Sequence, residues 1–292
     1  VAGRDRKGGK PPTGKGRGGK PPAKAKGDGR QRRGPSRSDL PQRPGFPDQL
    51  EGRNLVLAGL RVSRRVRAIW LDERAGGNKI DAILAEAGEA GVPVTPVPRA
   101  ALDAVAQGHV HNGVIGFADG LPQRSLKQVL DDVFDGGEVP FFVLLDQVQY
   151  EQNLGAILRT AAAAGVHGII IPTRRGASLS PTAQRIAMGG AEEVPVVRES
   201  MMSALATLRR AGITIVGTEA GSAVSFTEAN LTGPLALVMG GEDRGLSPAV
   251  AQRCDSVVHI PMKESLAVTS LNVSVSTALL LYERVRQVAA LD

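Results

Sequence analysis

The last third of the chain most constrains the fold. Leu237-Val-Met-Gly-Gly-Glu-Asp-Arg-Gly-Leu-Ser-Pro248 is followed by Ile260-Pro-Met262 and then by Thr269-Ser-Leu-Asn-Val-Ser-Val-Ser276. Each is a short polar or glycine-rich stretch hung on an apolar run. A run of Leu, Val and Ile that empties into Gly, Pro or Ser predicts a buried strand ending in a loop, and open α/β sheets bind ligands at such strand ends. The three loops are therefore expected to form one pocket. Within Met239-Gly-Gly-Glu-Asp-Arg-Gly245 the glycines let backbone approach a flat ligand, while the carboxylates and the arginine offer polar anchors. The Lys-Ser/Thr ending of a phosphate loop is missing, as is a G-x-G-x-x-G fingerprint.

The same alternation extends upstream. Apolar runs at 141–145, 168–172, 213–217 and 235–238 are predicted strands, and the patterns at 153–164, 181–188 and 201–210 are predicted helices. Strands and helices in alternation imply a mostly parallel sheet covered on both faces. The end of the chain carries a conflict. Leu271, Val273 and Val275 alternate with Asn272, Ser274 and Ser276 as a strand would, yet Leu271, Val275, Ala278, Leu279 and Tyr282 fall at helical spacing. A helix capped near Ser270 accounts for more residues.

Before this domain, placed at 139–292, come three other segments. Residues 49–120 read as a small α/β unit, with strands at 66–71, 92–97 and 113–117 and helices at 79–90 and 98–107. Residues 121–138 form a linker with a short helix at 125–133. Residues 1–48 are Gly, Pro, Lys and Arg with almost no large apolar side chain, a composition that predicts a disordered tail. Charge follows the same division: residues 1–50 carry a net +10 and the remainder a net −3. Such a tail is either a solvated solubility segment or an arm that contacts nucleic-acid phosphates without sequence choice. Its basic, acid-poor opening is that of a transit peptide, but the amphipathic apolar pattern of one is missing.

The glycine and serine loops resemble motifs 2 and 3 of the SpoU/TrmH branch of the SPOUT RNA 2'-O-methyltransferases. The resemblance rests on Val-Met-Gly-x-Glu, Ile-Pro-Met and Ser-Leu-Asn-Val-Ser-Val in order, with Asn153-Leu-Gly-Ala-Ile-Leu-Arg159-Thr-Ala about eighty residues upstream as motif 1. It implies a SPOUT-type α/β domain with a parallel sheet and a C-terminal trefoil knot. It also implies that 49–120 is an RNA substrate-binding domain similar to ribosomal proteins of the L30e type. There His109 and His111 sit beside the last strand, too few to make a metal site; His111-Asn-Gly113 stands where the family has His-Gln-Gly, and a structural histidine is preferred over one that touches RNA.

The implied reaction moves a methyl group from S-adenosylmethionine to an RNA ribose 2'-hydroxyl, which demands alignment of donor and acceptor and removal of one proton. By resemblance Asn153, Arg159, Glu242, Ser270 and Asn272 form the catalytic set, and Thr218, Gly240, Ile260, Met262 and Leu271 contact S-adenosylmethionine. If Asn153 caps its helix, Gly155 lies one turn before Arg159, and the arginine is expected to lie over bare glycine toward the loop mouth. Phosphate positioning suits Arg159 better than general-base work, because a guanidinium keeps its proton. Two departures bear on donor binding: Tyr150-Glu-Gln-Asn153 replaces the family's Asp-Pro-x-Asn, and the 263–269 loop has no glycine.

The expected protein is a cytoplasmic homodimer acting on RNA, with ribosomal RNA, and a large-subunit guanosine in it, favoured over tRNA. A non-catalytic RNA-binding or ribosome-assembly factor of the same fold is the alternative from another class. The single Cys254 excludes an internal disulfide and a multi-cysteine metal site, and no metal is needed by the chemistry. No apolar run is long enough to span a membrane, and none is expected.

Overall fold

The structure is a computed structural model that describes residues 41–107, 110–174, 176–241, 244–263 and 270–291. Most of the basic tail therefore lies outside the described residues. Its described end does not stand free. Phe46 packs against the cluster of Trp70, Val97, Leu102, Ile115 and Phe117, and the Arg43 guanidinium carbon lies 5.9 Å from the Phe117 ring centroid.

The first unit contains β1 (Asp48–Glu51), α1 (Arg53–Arg61), β2 (Val66–Asp72), α2 (Asn78–Glu89), β3 (Val94–Val97), α3 (Arg99–Val105) and β4 (Val114–Ala118). Its sheet runs β1-β4-β2-β3, antiparallel except between β2 and β3. β1 and α1 were not anticipated: four residues with Asp, Gln and Glu carry no strand period. Only pairing with the buried β4 makes them one. His111 is 1 % exposed. Its Nδ1 accepts from Gly113 N–H at 3.1 Å, which leaves the ring proton on Nε2 to donate to Asp103 at 2.9 Å. The histidine holds the turn into β4; His109 lies outside the described residues.

The linker helix α4 (Leu126–Asp135) opens with a capping box of Ser125 and Gln128. Its face of Leu126, Val129, Leu130 and Val133 is packed onto the second sheet. That unit continues as β5 (Phe141–Leu145), α5 (Glu151–Ala163), β6 (Gly168–Ile171), α6 (Pro181–Ala187), α7 (Gly190–Glu193), β7 (Val196–Arg198), α8 (Met201–Arg210) and β8 (Thr214–Thr218). It closes with β9 (Val224–Ser225), β10 (Leu235–Met239), α9 (Pro248–Ala251), β11 (Ser256–His259) and α10 (Val273–Ala289).

The strand order is β7-β6-β5-β10-β8-β11-β9, and every pairing is parallel. Alternation of side chains divides each central strand between two cores. Phe141, Val143 and Leu145 join Leu235, Leu237 and Met239 under α5 and α10, while Phe142, Leu144, Ala236 and Val238 face α4 and α8. Burial on both faces explains why these strands read as continuous apolar runs.

The helical alternative holds for the C terminus, with one shift and one reversal. Asn272 rather than Ser270 caps α10: its Oδ1 accepts from Ser274 N–H at 2.9 Å. The apolar positions that marked the helix do not enter the core of their own chain. Val273, Thr277, Leu280, Leu281 and Arg284 are buried, whereas Val275, Leu279 and Tyr282 are 49 %, 39 % and 51 % exposed. Buried Arg284 is held by the carbonyls of Leu231 and Gly233 and lies over the Phe141 ring, 4.3 Å from its centroid.

Candidate functional site

The C-terminal ends of β8, β10 and β11 and the start of α10 enclose a cleft of about 350 Å³. Thr218, Gly240, Ile260, Met262 and Leu271 all line it, together with Ser270. Two of the three expected loops follow strands, β10 and β11; the third instead leads into α10. Parallel strands all present their C-terminal ends at one edge of the sheet, which is why loops far apart in sequence converge there.

The glycine loop is shaped by backbone contact. Gly241 and Gly245 exchange two N–H···O bonds of 3.1 and 3.0 Å. A Cβ on Gly240 would lie 2.2 Å from the Gly245 carbonyl carbon. Directly after β5, the buried Asp146 carboxylate accepts from Ser247 N–H at 2.7 Å and fixes the far end of the loop. Thr218 spends its hydroxyl proton on the Val238 carbonyl at 3.1 Å, tying β8 to β10. Apolar walls come from Met239, Val258, Ile260 and Leu271.

Glu219 and His259 also line the cleft and were not singled out in the sequence. Glu219 stands two residues past the predicted 213–217 strand, and His259 directly before Ile260-Pro-Met262; closeness to a strand end or to an expected loop is the signal that points to them. His259 Nδ1 donates to the Val224 carbonyl at 2.9 Å, which fixes the ring beside β9.

The proposed catalytic residues are only partly assembled. Asn272 Nδ2 donates to Asn153 Oδ1 at 3.1 Å, joining the first motif to the third. Glu242 lies outside the described residues. Asn153 does not cap α5, because the helix begins two residues earlier with Tyr150 as its cap. Glu151 makes that earlier start possible: its carboxylate accepts from the Ser178 and Ser180 hydroxyls at 2.5 Å each, which hold it below the usual carboxylate range. Nor does Arg159 lie over bare Gly155. That face is filled by α6, where an added Cβ would meet the Ala183 carbonyl at 2.6 Å and Ile186 Cβ at 2.7 Å. The Arg159 side chain is exposed, makes no hydrogen bond or ion pair among the described residues, and is not part of the cleft wall.

A second hollow, about 990 Å³, lies on the first unit and is lined by Arg53, Arg74 and Arg99 with Asp72 and Glu73. Arg53 is braced by the carbonyls of Asn112 and Gly76 at 3.1 Å each. Among the described residues no group of three or more His, Cys, Asp or Glu side chains is placed to hold a metal ion, and no helix is long and apolar enough to cross a membrane.

Residues 140–282 match the SpoU rRNA Methylase family, and residues 49–123 match the RNA 2'-O ribose methyltransferase substrate-binding family. The chain is 40 % identical over 244 residues to the 23S rRNA (guanosine-2'-O-)-methyltransferase RlmB of Photobacterium profundum, covering 82 % of this chain and 98 % of that protein. Identity to the protein of the same name from Pseudomonas putida is 38 % over 227 residues, 77 % and 90 % of the two chains. Among solved structures, the SpoU methyltransferase AviRb of Streptomyces viridochromogenes in complex with AdoMet aligns with a TM-score of 0.65 at 27 % identity, over 82 % of this chain and 89 % of that one. With both segments matched and relatives aligned along nearly their whole length, the chain belongs to the SpoU rRNA methylase family.

Proposed function

We propose that the chain transfers the methyl group of S-adenosylmethionine to the ribose 2'-hydroxyl of a guanosine in large-subunit (23S) ribosomal RNA. The carrying observation is the cleft, which gathers all five residues expected to touch the methyl donor at one edge of the parallel sheet. Relatives named for this reaction align over most of the chain and support the choice of RNA.

The residues fit the donor. A cleft of about 350 Å³ falls in the range of small-ligand sites. Gly240 and Gly241 bring bare backbone to its edge, Ile260 and Leu271 offer flat apolar surface for an adenine, and Glu219 offers a carboxylate to hydroxyl groups. When bound, the sulfonium supplies an electrophilic methyl group, so the protein's work is alignment. Asn153 and Asn272, hydrogen-bonded to each other, tie the N-cap of α10 to the first turn of α5. Arg159, exposed and without a partner among the described residues, is available to a phosphate of the RNA and keeps its own proton throughout.

The braced Arg53 and exposed Arg99 beside the larger hollow suit RNA phosphates, as an L30e-like substrate-binding domain requires. The outward stripe of Val275, Leu279 and Tyr282 on α10 supports a homodimer, since three large apolar residues on one helix face are costly to leave in water. A C-terminal trefoil knot, a phosphate-contacting basic tail and a cytoplasmic site of action complete the reading.

Calorimetric titration with S-adenosylmethionine, followed by methylation of 23S RNA and mapping of the modified ribose, tests the proposal. One-to-one binding and a single 2'-O-methylguanosine are expected. Modification of tRNA instead would overturn the choice of RNA, and absence of donor binding with and without RNA would favour the non-catalytic factor.

A further inference from the structure

The first unit meets the second across one buried guanidinium. Arg65 sits in the turn between α1 and β2, its side chain 4 % exposed. Nε and Nη2 form a fork on the Glu192 carboxylate of α7, at 2.8 and 2.7 Å. Nη2 also reaches Gln184 Oε1 of α6 at 3.1 Å, while Nη1 donates to Asp48 Oδ2 at 2.5 Å and to the Asp119 carbonyl at 2.6 Å. The Glu192 side chain is 0 % exposed and accepts a further bond from the Ser63 hydroxyl at 2.6 Å.

Two features turn this cluster from a packing detail into a device. Helix α4 is already packed onto the second sheet, so any swivel of the first unit must occur in the short stretch between Asp119 and Ser125. Arg65 clasps both sides of that stretch. In addition, α7 lies against α5 beside Arg159: a Cβ on Gly190 would sit 2.7 Å from the Leu158 carbonyl and 3.1 Å from Arg159 Cα. On its other side, Gly189 approaches Ala58 of α1, where an added Cβ would lie 2.9 Å from the alanine Cβ. α7 is thus wedged between the first unit and the helix that carries Arg159.

We propose that Arg65 and Glu192 are positioning residues for methyl transfer: they latch the substrate-binding unit in one bearing, so that RNA held there meets Arg159 in one orientation. The inference rests on the RNA methyltransferase reading. A forked ion pair with its remaining lone pairs and protons satisfied is favourable in a dry site only in that geometry; loss of Arg65 leaves the Glu192 charge buried and uncompensated, and loss of the Glu192 charge leaves Arg65 paired with Asp48 of its own unit alone, with no ion pair across the seam. The latch is therefore closed or open, with little between.

The test uses the full chain with spin labels at E89C on α2 and A206C on α8, both exposed positions on different units. A single narrow distance distribution is expected for the parent. In R65A the distribution should broaden at least twofold and KM for RNA rise at least tenfold, with kcat and donor affinity within twofold. E192Q, which keeps the shape of the carboxylate and an acceptor for Ser63, should shift both readouts the same way and serves if R65A does not fold. A distribution that stays narrow, or one that broadens with KM unchanged, would overturn the proposal. Because the distance measurement needs no turnover, a parent chain that methylates no RNA refutes the functional reading while the labels still judge the latch.

Discussion

Replacing Gly240 by alanine probes the cleft with a single methyl group. The new Cβ would lie 2.2 Å from the Gly245 carbonyl carbon, 2.5 Å from Leu246 N and 2.6 Å from Gly245 O. Unbonded carbon atoms rest at about 3.5–4.0 Å, so the facing backbone must retreat by more than about 1 Å. No flexible side chain can absorb the shift. The retreat strains the two backbone bonds between Gly241 and Gly245, each worth about 0.5–1.5 kcal/mol net, and overpacking adds about 1–3 kcal/mol. The cleft-forming geometry of the loop is then disfavoured by at least about 2 kcal/mol, which lowers S-adenosylmethionine affinity by roughly 30-fold. Thermal unfolding should shift down by about 4–8 °C if the loop cannot relax. Gly88→Ala is the control: an added Cβ there meets nothing within 4 Å inside α2, so stability should rise by about 0.5–1 kcal/mol with donor affinity unchanged. Donor binding by G240A within threefold of the parent, with Tm unchanged, would refute the role assigned to the glycine loop.

Asn272 has two separable jobs, and N272S divides them: serine still accepts from Ser274 N–H as an N-cap but is too short to reach Asn153, so Tm should hold while methylation falls at least tenfold, whereas N272A should also lose about 1 kcal/mol of stability. Burial pushes the Cys254 thiol up to about 11, so at pH 8 its reaction with a thiol reagent should be slower than in the unfolded chain by on the order of 100-fold. Glu151, held low by Ser178 and Ser180, contributes stability that is complete above the unfolded carboxylate value of about 4.3 and is lost as pH falls through its depressed folded value. E151Q should thus destabilise the chain at pH 7 and converge with the parent in acid, as read by urea unfolding at both pH values. L279E places a charge in the outward stripe of α10 and should convert a dimer to monomers in sedimentation; a parent chain that is already monomeric would remove the dimer reading.

Several elements were legible because their causes are local. β5 and β10 are five-residue apolar runs buried at every position, and α8 begins at its Ser200 cap and ends where Gly212 follows. β1, β7 and β9 were not legible. They are two to four residues long and exist because a neighbouring strand offers its edge. The start of α5 was misjudged for a related reason. Asn153 is a good cap by type, but the Glu151 carboxylate is anchored by serines 27 and 29 residues away, which lets the helix begin earlier. The bare face of Gly155 is likewise needed for the approach of α6 rather than for Arg159.

Sequence by itself determined the repeat of strand and loop, the glycine backbone at the end of β10 and the cap-bearing polar run before α10. Periodicity, propensity and the lack of a side chain act within a few residues. Only the tertiary structure decided which face of α10 is turned outward, that Asn153 and Asn272 meet across 119 residues of chain, and that Arg65 finds Glu192 across 127. These depend on where parallel strands deliver distant segments and on which charges are left without water. Neither is encoded in any local window, because the free energy of such a contact exists only once both segments are in place.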